Sequence, residues 1–75
     1  MPTLNQCIGQ QDFEILHLKK HELTPKLMEM GLYPGKRVRI LFFAPLGDPM
    51  AVDVEGYTLS LRREEAAIIQ VRSLS

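Results

Sequence analysis

Met50-Ala51-Val52-Asp53-Val54-Glu55-Gly56-Tyr57-Thr58-Leu59-Ser60-Leu61 is the stretch that decides the fold. Met50, Val52 and Val54 alternate with Ala51, Asp53 and Glu55, and then Tyr57, Leu59 and Leu61 alternate with Thr58 and Ser60. A two-residue turn at Glu55-Gly56 would pair Val54 with Tyr57, Val52 with Leu59 and Met50 with Leu61, so that every apolar pair falls on one face. Slipping the register by one residue would scatter those pairs to both faces. Glutamate is a poor first residue for the favoured turn type, so a bulged turn stays open as an alternative.

Working outward, Ala44-Pro45-Leu46-Gly47-Asp48-Pro49 must be a loop, since its two prolines and glycine deny a ladder its donors. Before it, from Lys36 to Phe43, Val38, Ile40 and Phe42 are expected on one face, with Arg37 and Arg39 on the other. Leu41 and Phe43 make that second face apolar towards its end, as befits a central strand. Further back, Thr24-Pro25 reads as a helix start, with proline at the first helical position and a hydroxyl able to accept from an orphan N–H. Gly31 reads as the stop, bringing Leu32 onto Leu27, and Pro34 keeps the helix from resuming.

Asp12 to Leu18 is an imperfectly alternating strand, with Phe13 and Ile15 on one face and Leu16 and Leu18 on the other. Residues 1–10 are polar apart from Leu4, Cys7 and Ile8 and read as a loose lead-in. After the hairpin, Arg62 to Ala66 is one helical turn of charge, and Ala67 to Val71 a last strand. The expected fold class is mainly β: one domain over 1–75, a small SH3-like five-stranded barrel with a short helix inserted between strands 1 and 2.

Seventy-five residues bury only about 60% of their unfolded surface, which argues against a deep enzymatic pocket. Nine basic and nine acidic side chains cancel, leaving no global field to draw the chain to nucleic acid or an anionic membrane. A single cysteine excludes an internal disulfide. The start lacks a signal-peptide pattern, and no apolar run approaches the roughly 20 residues that span a bilayer, so a cytoplasmic address is expected without membrane insertion.

Three segments together resemble the ferrous iron transport protein A (FeoA) family. They are Lys26-Leu27-Met28-Glu29-Met30-Gly31-Leu32-Tyr33-Pro34-Gly35, Ala44-Pro45-Leu46-Gly47-Asp48-Pro49-Met50 and Leu59-Ser60-Leu61-Arg62-Arg63-Glu64-Glu65-Ala66. The likeness runs from about Gly9 to Val71. It implies an SH3-like fold and a small cytosolic accessory to a ferrous iron transporter, with the cytosolic region of the GTPase-bearing membrane B component as partner. A related domain is appended to iron-dependent repressors, but no DNA-binding helix pair precedes this one, and the free-standing form is expected. The family's association with metal also implies weak binding of Fe(II) or another transition-metal ion.

Candidate chemistry is limited. No residues are singled out as catalytic, because neither a nucleophile beside a base nor a phosphate-cradling glycine loop is present. No residues are assigned as metal ligands either. Asp53 with Glu55, the Glu64-Glu65 pair, and Cys7, His17 and His21 are the polar ligands available, and their spacing is not that of a structural zinc site. Arg37 and Arg39 with Arg62 and Arg63 would form a basic patch if the fold brought them together. That leaves a metal-responsive or nucleic-acid-binding module as the alternative, weakened by the balanced charge and the lack of interleaved aromatics. The preferred expectation is a protein–protein module. Leu27, Met28 and Met30 crowd a short helix, and Tyr33, Leu46 and Met50 lie in or beside turns, so these six either close the ends of the barrel or grip a partner. The same cluster would also serve self-association.

Overall fold

The computed structural model describes residues 2–74. In chain order the elements are β1 (Asp12–Leu18), α1 (Thr24–Glu29), β2 (Arg37–Phe43), β3 (Met50–Val54), β4 (Tyr57–Leu61), α2 (Arg63–Ala66) and β5 (Ile69–Ser73), preceded by a 3-10 turn at Leu4–Gln6. The strands form one antiparallel sheet in the order β4-β3-β2-β1-β5, with β2 at its centre. Extents of 28 × 26 × 24 Å show that the sheet is rolled, since a flat two-faced sheet would be far thinner in one direction. β4 and β5 do not pair among the described residues, so the SH3-like barrel is not strictly closed.

The hairpin has the register that its alternation predicts, from Val54 opposite Tyr57 to Met50 opposite Leu61. Glu55 and Gly56 both take positive φ, 46° and 108°, as a two-residue turn matched to strand twist requires. The cost at Glu55 is offset locally. Its carboxylate accepts from the Arg37 N–H and from Lys36 Nζ, each at 3.2 Å. The Arg37 N–H and then the Lys36 ammonium hold the Glu55 carboxyl below its ordinary pKa, and Glu55 in turn raises that of Lys36.

Two β-bulges explain the irregular strands. In β1 the register shifts between Ile15 and His17, so Phe13, Ile15 and Leu18 all reach the core instead of dividing between faces. In β2 the shift falls between Ile40 and Phe42. Val38 and Ile40 point inward as expected, but Phe42 is turned out to 63% exposure and Phe43 packs partly against the core in its place.

Helix α1 ends as its glycine predicts. Gly31 takes φ +95°, its N–H donates to the Met28 carbonyl and that of Leu32 to the Leu27 carbonyl, both at 3.0 Å, and Leu27 and Leu32 are fully buried. The start differs from expectation: the Thr24 hydroxyl donates to the Lys19 carbonyl at 2.6 Å instead of accepting from the helix, and His21 Nδ1 accepts the Leu23 N–H. α1 is tied to β4 by Tyr57 Oη, which donates to the Met30 carbonyl, and to α2 by Lys26 against Glu65, so it bridges the two sides on which β4 and β5 do not pair.

The reading of residues 1–10 as a loose lead-in is corrected over the described part. Thr3 bridges Gln70 and the Val71 N–H donates to the Pro2 carbonyl at 3.0 Å, so this segment covers the outer edge of β5. Leu4 is fully buried, and the buried Cys7 thiol lies 3.5 Å from the Thr3 carbonyl, its pKa pushed up by burial. The last strand begins two residues later than its apolar run implies, because Ile68 still closes the α2 turn onto the Glu65 carbonyl while Arg72 and Ser73 pair with Glu14 and Phe13.

Candidate interaction surface

The six apolar candidates do not form one surface. Leu27 and Met50 have no exposed area and belong to the core, Met50 at the floor of the apolar depression described below. Leu27 is spent on the α1 terminus, and Met50 is the inward residue that closes the hairpin against Leu61. Met30 is partly buried against the core and lines a cleft. Met28, Tyr33 and Leu46 are exposed, Leu46 at 98%. Tyr33 is backed by Lys36, whose ammonium stands 5.1 Å from the ring centroid.

Nor does the basic patch assemble. Arg37 opens β2 beside the hairpin turn, whereas Arg62 follows the end of β4, which lies across β3 from the end of β2. Seven strand residues separate those ends, about 20 Å. Arg39 meets Asp12 at 3.4 Å. Arg63 is taken up structurally: its N–H donates to Asp48 Oδ1, and its guanidinium donates to the carbonyls of Gly47 and Asn5. It thereby ties the 44–49 loop and the N-terminal segment to α2.

The carboxylates and soft ligands are dispersed in the same way. Glu65 is 5% exposed. Burial opposes its charge, but the Arg62 N–H at 2.9 Å and Lys26 Nζ at 3.1 Å outweigh that and hold its pKa below the ordinary glutamate value. Asp53 faces Arg39 and Thr58 across the sheet, and Glu55 serves the turn. No three His, Cys, Asp or Glu side chains converge among the described residues.

Two depressions flank the exposed strand β4. One, of about 250 Å³, lies between α1 and β4 and is lined by Lys26, Met30, Pro49, Ser60, Arg62 and Glu65. The other, of about 310 Å³ and largely apolar, includes Phe42, Ala44, Pro49, Ala51 and Leu59. They share Pro49 and Ser60 and so adjoin. Phe42, the largest apolar side chain in this region, is exposed here, whereas the sequence reading placed it on one face with Val38 and Ile40. No local signal distinguishes it, because the bulge that turns it outward comes from pairing with β3.

A rolled five-stranded β domain of this size, with a short helix and an apolar groove at one edge, is an SH3-like domain. The chain belongs to the FeoA domain family, whose sequence model matches residues 3–73. A curated relative, the Fe(2+) transport protein A/Fe(2+) transporter FeoB fusion protein of Porphyromonas gingivalis, is 42% identical over 50 residues. That match covers 67% of this chain but only 6% of the relative's length. The solution structure of a FeoA-like protein from Clostridium acetobutylicum is 34% identical, with a TM-score of 0.91 over 97% of this chain and 86% of that one. A manganese-dependent transcriptional repressor, 20% identical, shares the fold with a TM-score of 0.90 over 97% of this chain and 36% of its own. The P. gingivalis relative is named for ferrous iron transport.

Proposed function

We propose that this chain is a small cytosolic accessory of a ferrous iron uptake system, acting as a binding module, not an enzyme, on the cytosolic region of the GTPase-bearing transporter B component. One observation carries the reading: in the P. gingivalis relative a segment similar to this chain is joined to the transporter itself. Exposed Met28, Tyr33, Phe42 and Leu46 support it, since adaptable methionine and amphipathic or aromatic side chains are what partner surfaces use. Any regulatory effect must come from binding one transporter state more tightly than another, because equal affinity shifts no equilibrium.

The test is co-expression of the chain with the B component of its own transport system, followed by purification through a tag on the transporter. Retention that Leu46→Asp or Phe42→Asp diminishes, with each variant still folded, is the expected result. Absence of the chain from the purified transporter overturns the proposal.

A further inference from the structure

The two edges of the sheet are treated differently. The outer edge of β5 is covered by the chain's own Pro2 and Thr3. At β4 the two-residue turn fixes Val54–Tyr57 as a hydrogen-bonded pair, so Tyr57, Leu59 and Leu61 exchange bonds with β3 while the N–H and C=O groups of Thr58 and Ser60 point away from it. Thr58 and Ser60 are exposed, and among the described residues nothing in the chain bonds their outward backbone groups. The apolar groove runs beside this edge, and at its end stands Arg62, whose guanidinium makes no hydrogen bond or ion pair among the described residues and reaches Glu65 only through its charge. Arg62 is still extended (φ −73°, ψ 151°) and falls on the same side as Thr58 and Ser60.

We propose that the edge of β4 accepts an extended segment of the partner as a sixth strand. Its apolar side chain seats beside Phe42 and Leu59, and a carboxylate two residues further along meets Arg62. This rests on the partner-module reading and names the mode of recognition, in which main-chain bonds supply affinity and the alternate side chains supply specificity. Charge selects this occupant over a second copy of the chain: β4 reads Tyr-Thr-Leu-Ser-Leu and offers no acid to Arg62, the acid before it, Glu55, is engaged by Lys36 and Arg37, and the acids after it, Glu64 and Glu65, belong to α2 and not to the strand, Glu65 being held by Lys26.

The test compares Ser60→Pro, Ser60→Ala and Arg62→Glu in titrations of the cytosolic region of the transporter's B component. Ser60→Pro removes an outward N–H and no ladder bond, which an edge strand tolerates. Strand addition predicts that it weakens binding about tenfold or more, that Arg62→Glu weakens it by a similar factor, and that Ser60→Ala stays within about twofold. Wild-type binding that Ser60→Pro leaves unchanged overturns strand addition and spares the partner reading, whereas no wild-type binding overturns both. If Ser60→Pro fails to fold, amide exchange decides. Slowed exchange at Thr58 and Ser60 in the wild-type complex supports the proposal, and unchanged exchange refutes it. Slowing that appears on concentrating the protein alone assigns the edge to a second copy and also overturns it.

Discussion

Replacing Gly31 by alanine tests how α1 is fastened to β4. At φ +95° an L-residue is strained by about 1–2 kcal/mol. A methyl group there would also overlap the Tyr57 hydroxyl, which donates to the Met30 carbonyl at 2.9 Å. Tyr57 is 44% exposed and can swing away, so the collision resolves into loss of that hydrogen bond, about 1 kcal/mol. Reduced freedom of the unfolded chain returns about 0.4–1 kcal/mol, which leaves a net destabilisation of about 1–2.6 kcal/mol. Tyr57→Phe alone should cost about 1 kcal/mol, and in that background Gly31→Ala should cost about 1 kcal/mol less than in the wild type, because the colliding oxygen has gone. Urea denaturation of the four proteins measures the cycle. Equal costs for Gly31→Ala with and without the hydroxyl, or no cost at all, would refute the fastening.

Other predictions follow from the same packing. Leu27→Ala should lose about 2–5 kcal/mol by leaving a cavity, whereas Leu46→Asp, at a 98% exposed position, should change stability by less than about 0.5 kcal/mol; urea midpoints decide both. Leu4→Ala should also cost about 2–5 kcal/mol in the same assay, and a neutral result would restore the loose lead-in. Because the folded-state pKa of Glu65 is lowered, its contribution is full above the ordinary glutamate pKa and is lost as pH falls through the lower folded value. Thermal unfolding followed down through that acidic window should therefore show a steeper loss for wild type than for Glu65→Gln. Arg63→Lys should not restore what Arg63→Ala loses, since one ammonium cannot span the carbonyls of Gly47 and Asn5, and faster amide exchange at Gly47 in both variants would show it.

The hairpin was legible because one face is buried and each inward residue is apolar, which leaves a single register. The helix stop at Gly31 was legible for a similar reason, since backbone geometry there admits few residues. What escaped depends on contacts distant in sequence. Phe42 looked inward by counting twos from Val38, and only pairing with β3 inserts the extra residue that reverses it. Leu4 and Cys7 sit among polar residues without periodicity, and their burial depends on β5, more than 60 residues away. Met50 and Leu27 were ambiguous between core and surface because alternation shows which face a residue occupies, not what covers it. The arginines were credible as a patch until register put Arg37 and Arg62 at opposite ends of the sheet.

The most direct test of the central claim is a calorimetric titration of the transporter's isolated cytosolic region with this chain, in each guanine-nucleotide state, with and without ferrous iron. The account predicts saturable binding whose affinity differs between nucleotide states and does not require iron. Binding that appears only with ferrous iron would contradict it in favour of a metal-dependent module, and absence of binding in every state, with both proteins folded, would remove the soluble region as the partner.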